Sequence, residues 1–207
     1  MVDVRQRILV ADDEHLMALG LASSLRSLGH EVLGPYPNGR AAYDAIEGDQ
    51  PGLLMLDIRM PEMCGLEVAS LAWERWNVPS VMLTAYAGEE YLAEARGTGV
   101  FGYLLKPVSS DHLRVAISIA TARAEAQMMQ RDRISQLERS LTERRTIERA
   151  KWRLVSDRGM TEPEAHDLLQ KYARTSRRRL LDIAQLVLDA EAIDELMASL
   201  AQPKVGS

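Results

Sequence analysis

Five polar residues in the first half of the sequence stand directly at the ends of short apolar runs. Asp12 and Asp13 follow the first run, Asp57 follows the third, and Thr84 and Lys106 end the fourth and fifth. The carboxyl ends of neighbouring parallel strands meet at one edge of a sheet, so we expect these groups to share one crevice. Three carboxylates repel one another and favour a cation with hard oxygen ligands, for which Mg²⁺ is suited. An ammonium, a hydroxyl and a divalent cation around one carboxylate form a phosphoryl-transfer environment.

The elements that must position these groups alternate along residues 1–122. Apolar runs predict five buried strands, at Ile8–Ala11, Glu31–Gly34, Leu53–Leu56, Ser80–Leu83 and Gly102–Leu105. Amphipathic patterns predict helices at Glu14–Leu28, Gly39–Ile46, Leu66–Trp76, Glu89–Ala95 and from about Asp111, with Gly29, Gly48 and Gly97 as helix ends. This alternation predicts an α/β fold, a doubly wound five-stranded parallel sheet.

The remainder of the chain has only helical patterns. Residues 110–157 contain neither proline nor glycine, which permits one long helix. Apolar residues at coiled-coil spacing predict a short, imperfect coiled coil in a dimer: Leu113, Ile117, Ala120, Ala124, Ile134, Leu137 and Leu141. The alternative is a solvated linker helix.

A small all-α, three-helix domain is predicted to follow the linker. Its first helix ends at Arg158, and Thr161 to Glu164 form a capping box that begins the second. Thr175 or Ser176 is expected to cap the third helix, whose apolar face runs from Leu180 to Leu188. A final short helix is predicted from Ala190 to Leu200.

Charge separates the two halves of the chain. The 207 residues carry a net charge of −5, with 9 Lys/Arg against 16 Asp/Glu in residues 1–122 but 9 against 5 in residues 147–179. These basic residues could contact phosphates, and the interleaved Trp152 and Tyr172 could stack on unpaired bases. Alternatively both aromatic residues belong to the core and the cations form a solvated face. Among these cations, Lys151, Arg158, Lys171 and Arg174 are candidate phosphate contacts.

Composition limits the class of protein. Hydrophobic residues make up 46% and charged residues 27%, as in ordinary globular proteins. No apolar run reaches the ~18 residues of a membrane span, and acidic residues come too early for a secretory signal. Cys64 is the single cysteine, which excludes an intrachain disulfide and favours a reducing cytoplasm.

Four motifs of residues 1–122 resemble the receiver domain of bacterial two-component response regulators. They are ILVADDE, LLMLDIRMPEMCG, VMLTAYA and GYLLKP, in this order and spacing. The resemblance implies a flavodoxin-like fold in which Asp57 accepts a phosphoryl group from a histidine kinase. It implies that Asp13, Asp57 and the Arg59 backbone carbonyl bind Mg²⁺, with Asp12 acting through water.

The same resemblance assigns roles to the remaining residues of the crevice. Lys106 would pair with the phosphoryl oxygens, Thr84 would hydrogen-bond to them, and Tyr103 would change rotamer. The Lys106–Pro107 bond would be cis. Enzyme action is expected to be limited to the protein's own aspartyl phosphorylation and its hydrolysis. Arg59 and Tyr86 flank the approach of water in receivers, and because both are large we predict a long-lived phosphorylated state.

About 45 residues near the C-terminus resemble an ANTAR domain, the RNA-binding module of antitermination regulators. The matching elements are Ala150-Lys151, Gly159, Glu164-Ala165, Leu168-Leu169, Ala173 and the apolar pattern through Ile183-Ala184. Trp152 departs from the family, which commonly has glycine there. The resemblance implies a dimer that binds stem-loops of nascent RNA and promotes antitermination.

The predicted domains are therefore a receiver at 1–122, a helical linker at 123–146 and an RNA-binding domain at 147–203. Two other functions remain open at this point. One is a DNA-binding transcription factor, although its cations would have to be gathered on one recognition helix. The other is a protein-interaction adaptor that acts through the long helix.

Overall fold

The computed structural model describes residues 5–85 and 99–190 of the chain. Five strands are present among them: β1 (Arg7–Ala11), β2 (Glu31–Tyr36), β3 (Leu53–Asp57), β4 (Ser80–Thr84) and β5 (Val100–Leu105). Six helices accompany them in the same residues: α1 (His15–Ser27), α2 (Gly39–Asp49), α3 (Gly65–Trp76), α4 (Ser110–Arg158), α5 (Glu162–Ser176) and α6 (Leu180–Asp189). Packing divides the chain into two units, Met1–Gln130 and Arg131–Ser207, and each is described by itself.

The five strands form one parallel sheet in the order β2-β1-β3-β4-β5. This is the flavodoxin-like order, and the prediction of a doubly wound parallel sheet is confirmed. Every residue of β3 is buried, because β3 lies at the centre of the sheet and helices cover both faces. Side chains alternate along each strand, so the sheet has two apolar layers, one around Leu9, Leu54 and Leu56 and the other around Ile8, Val10 and Met55.

Most predicted bounds of the first unit differ from the structure by one to three residues. The predicted helix end at Gly48 is wrong, because α2 continues to Asp49 and its C-cap is Gln50, whose φ of 46° is left-handed. Gly29 does end α1, with a φ of 90° that glycine adopts without strain. The predicted helix Glu89–Ala95 and the predicted helix end at Gly97 lie outside the described residues.

Helix α4 confirms the prediction of one long helix, but its apolar seam has two different environments. Leu113, Ile117, Ala120 and Ala124 are buried in the second apolar layer of the sheet domain. The prediction that these residues face a partner helix is therefore wrong, since their 4-3-4 spacing packs them against the chain's own sheet. Ile134, Leu137 and Leu141 are exposed.

The second unit has a compact core of its own. Ala150 and Leu154 at the end of α4 pack with Ala165 and Leu169 of α5 and with residues of α6 that include Val187. These helices have apolar residues at three- and four-residue spacing, so each presents one face to the other two. The predicted three-helix arrangement is thus present in the described part of the chain.

The caps of the second unit agree with the sequence at one end of α5 only. The Glu164 carboxylate accepts hydrogen bonds from the Thr161 backbone N–H at 2.8 Å and from the Thr161 hydroxyl at 2.7 Å. The prediction that Thr175 or Ser176 caps the next helix is wrong, because both lie inside α5. Their hydroxyls donate to carbonyls one turn earlier, at 2.9 and 2.6 Å. The predicted helix Ala190–Leu200 extends beyond the described residues.

None of the described helices has the length and apolarity needed to span a bilayer.

Candidate functional site

A pocket of about 230 Å³ opens at the carboxyl ends of the strands. Strands β1 and β3 are neighbours whose connections leave in opposite directions along the sheet, which is where flavodoxin-like folds form a crevice. The residues that line it come from four strand ends: Asp13, Glu14, Asp57, Ile58, Arg59, Leu83, Thr84, Ala85 and Lys106. Four of the five strand-end residues singled out in the sequence thus line one pocket: Asp13, Asp57, Thr84 and Lys106.

Lys106 connects two carboxylates at the base of this pocket. Its Nζ lies 2.7 Å from Asp12 Oδ2 and 2.6 Å from Asp57 Oδ1. The three side chains are only 10%, 1% and 12% exposed, respectively. Charge-assisted contacts of this length, away from bulk water, are much stronger than surface ion pairs. The ammonium thus holds together carboxylates that would otherwise repel each other.

Burial and these contacts change the acid–base behaviour of the group. Burial raises the pKa of Asp12 above its ordinary value, although the hydrogen bonds from Lys106 and from the Glu14 backbone N–H act in the opposite direction. For Lys106, burial opposes the charged form, but hydrogen bonds to Asp12 and Asp57 outweigh it and raise the pKa. The ammonium is therefore stabilised in its charged form by the carboxylates around it.

Backbone groups fix both carboxylates in place. The Glu14 N–H donates to Asp12 Oδ1 at 3.0 Å, and the Arg59 N–H donates to Asp57 Oδ2 at 2.7 Å. The Gly65 N–H donates to the Ile58 carbonyl at 3.0 Å, and a Cβ at Gly65 would collide with the Asp57 carbonyl. Glycine thus permits α3 to begin directly beside the Asp57 backbone. Glu14 and Gly65 were not among the predicted site residues, although the sequence runs DDE and MCG contain them.

The other predicted site residues lie in different positions around the pocket. Thr84 and Arg59 line it, and Arg59 is exposed. Tyr103 is partly buried and packs against the first apolar layer of the sheet. The Lys106–Pro107 bond is cis, as the resemblance implied. Tyr86, which was predicted to flank the approach of water together with Arg59, lies outside the described residues. In the described part of the chain, no three acidic, His or Cys side chains converge as a metal cluster.

The predicted RNA contacts do not form one class of residue in the structure. Arg158, Lys171 and Arg174 are exposed. Lys151 is buried, and its Nζ lies 2.6 Å from Glu162 and 2.9 Å from Glu148. These two carboxylates raise the pKa of Lys151. Lys151 therefore ties the end of α4 to the start of α5, and its ammonium is already paired.

Arg153 is a further functional cation of the second unit that sequence reasoning assigned no separate role. Its guanidinium donates to three carbonyls at the end of α6, those of Val187, Leu188 and Ala190, at 2.9, 2.6 and 2.6 Å. The last carbonyls of a helix have no partner within the helix, so Arg153 caps α6 from α4. Only the folded unit brings residues so distant in sequence together.

Two family models match this chain over its two units. The response regulator receiver domain matches residues 8–118, and the ANTAR domain matches residues 135–188.

Individual relatives agree with these assignments. The transcriptional regulatory protein PdtaR of Mycobacterium tuberculosis is 34% identical over 186 residues, which cover 90% of this chain and 91% of PdtaR. An uncharacterised response regulatory protein of Vibrio cholerae is 40% identical over 116 residues, 55% of this chain and 44% of that protein. Among solved structures, the receiver domain of a modulated diguanylate cyclase from Desulfovibrio desulfuricans has a TM-score of 0.56 and 30% identity, covering 60% of this chain and 99% of that one. The chain therefore belongs to the response regulators in which a receiver domain is followed by an ANTAR domain.

Proposed function

We propose that Asp57 is the phosphoacceptor of this response regulator and that its phosphorylation controls an RNA-binding output. The observation that carries the proposal is the pair of short contacts from Lys106 to Asp57 and Asp12 inside a pocket. An aspartate at the centre of the sheet edge, with an ammonium already beside it, can accept a phosphoryl group and hold the added charge.

The donor set of the pocket fits Mg²⁺. Asp13 and Asp57 line it, Asp12 lies at its base, and all their ligand atoms are hard oxygens. Mg²⁺ usually binds through one or two carboxylates, keeps several waters and takes phosphate oxygens as further ligands. Burial raises the pKa of Asp12, so a nearby cation would stabilise its charged form. In the proposal Asp13, Asp57 and the Arg59 carbonyl hold the ion directly and Asp12 holds it through water; the bound ion would neutralise charge on the phosphoryl group.

The proposed chemical step is one in-line displacement. A carboxylate oxygen of Asp57 forms a bond to phosphorus while the bond from phosphorus to the donor nitrogen of a phosphohistidine breaks, and the leaving imidazole takes a proton. Lys106 contacts Asp57 Oδ1 and the Arg59 N–H contacts Oδ2, so the carboxylate is oriented before the donor arrives. Hydrolysis later transfers the phosphoryl group to water.

Transmission of the signal is assigned to two residues on β4 and β5. Thr84 lines the pocket, so its hydroxyl can hydrogen-bond to a phosphoryl oxygen. Tyr103 is paired with Met82 in the register of these strands and is partly buried, so its ring reaches the protein surface. A phosphoryl group that engages Thr84 and Lys106 would thus change the surface near Tyr103.

A protein donor is supported by the surface beside the pocket. Leu16 is 84% exposed and Met17 is 45% exposed on α1, and both line a second pocket of about 270 Å³ that also includes Lys106 and Pro107. Apolar side chains exposed next to a polar reaction site are typical of a surface that a protein partner covers. We assign this surface to the histidine kinase that supplies the phosphoryl group.

A change of Asp57 tests the phosphorylation proposal directly. Asp57→Asn should abolish labelling by acetyl phosphate in the presence of Mg²⁺. Asp44→Asn, at an exposed residue of α2, is the matched control. Equal labelling of Asp57→Asn and wild type would show that Asp57 is not the acceptor.

A second pair of assays tests the kinase surface. Leu16→Ser should slow transfer from a histidine kinase that phosphorylates the wild-type protein but leave labelling by acetyl phosphate unchanged.

The ANTAR unit is proposed to bind stem-loops in nascent RNA and so to promote transcription antitermination. Exposed cations support this assignment, and we keep Arg158, Lys171 and Arg174 as candidate phosphate contacts. Lys151 is buried and paired, so we now assign it to the stability of the unit. A dimer is supported by Ile134, Leu137 and Leu141, which are 49%, 51% and 56% exposed at three- and four-residue spacing.

Binding assays with two nucleic acids test the output. Wild-type protein should bind stem-loop RNA more tightly than duplex DNA of the same sequence. Lys171→Ala combined with Arg174→Ala should weaken RNA binding and reduce the slope of log affinity against log salt by about 2. Arg26→Ala removes an exposed cation of the receiver and is the matched control. Preference for duplex DNA, or no nucleic-acid binding in either phosphorylation state, would contradict the proposal.

A further inference from the structure

Trp152 is an exposed tryptophan within a compact helical unit. The indole is 61% exposed, although its helix neighbours Ala150 and Leu154 are fully buried in the core. A buried indole would contribute a large apolar area to the core, but Trp152 lies outside the core of this unit. The alternative that Trp152 is a core residue is therefore wrong. Within the described residues its ring has neither a hydrogen-bond partner nor a stacking partner.

The charges around Trp152 distinguish it from an ordinary exposed apolar residue. Arg149 and Arg145 precede it by three and seven residues on α4, so they share its face of the helix. Both are exposed, and neither forms an ion pair with any residue that the structure describes. The neighbouring cations Lys151 and Arg153 are occupied, one by two carboxylates and the other by the carbonyls of α6.

An exposed indole beside two exposed guanidinium groups is chemically complementary to an unpaired nucleotide in a nucleic-acid strand. An unpaired base offers an apolar face for the indole, and the phosphates joined to the same nucleotide strand offer anions for the two guanidinium groups. A partner helix is a poorer complement, because covering Arg145 and Arg149 with apolar side chains would desolvate two charges without compensation. The exposed apolar residues nearest along the helix stop at Leu141, and Arg144, Arg145 and Glu148 interrupt the stripe before Trp152.

We propose that Trp152 stacks on an unpaired base of the bound RNA while Arg145 and Arg149 contact the adjoining phosphates. The inference rests on the proposed RNA-binding function and adds to it a stacking residue, Trp152, for an unpaired nucleotide. It also assigns contacts to α4, in addition to the cations of α5 named above. Stacking is tolerant of base identity, so this contact would discriminate loop from duplex more than it would discriminate sequence.

The test uses the full chain and two labelled RNAs, a stem-loop and the same strand annealed to its complement. Trp152→Leu, which keeps an apolar side chain but removes the aromatic face, should lose about tenfold to a hundredfold in affinity for the stem-loop. Trp152→Phe should retain most of the affinity. The slope of log affinity against log salt should stay unchanged in Trp152→Leu but fall by about 1 in Arg149→Ala.

Two further measurements separate the alternatives. Binding of the stem-loop should change the fluorescence of wild-type protein but not of Trp152→Phe, which retains Trp73 and Trp76. Sedimentation should give the same oligomer for wild type and Trp152→Leu, and helix content should be equal.

Each outcome decides between the proposals. Stem-loop affinity that is equal in wild type and Trp152→Leu would overturn the stacking proposal while the RNA-binding function stands. An equal loss of affinity for the stem-loop and the duplex in Trp152→Leu would also overturn it. Dissociation of the oligomer in Trp152→Leu would overturn it as well, because a second copy of the chain would then cover this face. If wild-type protein binds neither RNA, the proposed function itself fails and the stacking proposal fails with it.

Discussion

Replacement of Lys106 by methionine should destabilise the receiver unit in the absence of divalent cations. Asp12 Oδ2 and Asp57 Oδ1 lie within 2.7 Å of the same nitrogen, so these oxygens are separated by no more than about 5 Å. Two unit charges at that distance repel by about 3 kcal/mol at an effective dielectric constant of about 20. Protonation of Asp12 would relieve part of this repulsion, because burial raises its pKa, so about 3 kcal/mol is the upper limit of the loss. We therefore expect a loss of up to about 3 kcal/mol in the free energy of unfolding, which reaches the range for breaking a buried ion pair.

The assay is urea unfolding in EDTA, followed by tryptophan fluorescence. A Trp152→Phe background restricts the signal to Trp73 and Trp76, which both belong to the receiver unit. Arg40→Met is the matched control, because the Arg40–Asp44 pair spans 4.0 Å with side chains 52% and 63% exposed and should contribute less than about 1 kcal/mol. A loss for Lys106→Met no larger than that for Arg40→Met would refute the electrostatic argument.

Two additions to this experiment identify the source of the loss. Asp57→Asn in the Lys106→Met background removes one of the repelling charges and should recover much of the stability. Mg²⁺ at about a hundredfold above the dissociation constant of the parent chain should stabilise the parent by about 2.7 kcal/mol if it binds only the folded state, and both chains are compared at this one concentration. The gain should be larger in Lys106→Met than in its parent, because in the parent the ammonium competes for the same carboxylates. Equal gains would show that the two cations act at different sites.

Two further predictions concern stability and titration. Arg153→Ala should destabilise the second unit by about 2–3 kcal/mol, because charge-assisted hydrogen bonds to the Val187, Leu188 and Ala190 carbonyls are lost. Thermal unfolding measures this loss. Arg179→Ala, which removes an exposed ion pair with Asp182, is the control and should have little effect. Burial and a 2.6 Å hydrogen bond to Asp49 raise the pKa of Tyr36 to about 12. The stability that Tyr36 contributes should therefore be complete below pH ~10 and be lost as the pH rises toward 12. Tyr36→Phe should remove both this loss and one late tyrosinate transition in ultraviolet absorbance, and a transition near pH 10 for all tyrosines would contradict it.

The arrangement of the proposed phosphorylation site follows from the order of residues along the chain. Five apolar runs with helices between them lead to a parallel sheet, and strand ends in such a sheet share one edge. Asp57, Thr84 and Lys106 therefore had to approach one another wherever the loops run. What the order could not show is that Lys106 contacts both Asp12 and Asp57, since the reach of its side chain depends on the sheet's twist and on the backbone around Pro107.

Tertiary structure decided the roles of residues whose local patterns are ambiguous. Leu113 and Ile134 belong to the same helix and the same kind of apolar spacing, yet one is buried against the sheet and the other is exposed. The spacing shows that one face of a helix is apolar but carries no information on which surface covers it. Lys151 and Trp152 are adjacent in a basic segment, but only packing buries the lysine between two carboxylates and turns the tryptophan outward. The sequence by itself determined which elements form and which strand ends meet; the fold decided which charges are already neutralised and which side chains remain available to a partner, because burial depends on contacts between residues far apart in the chain.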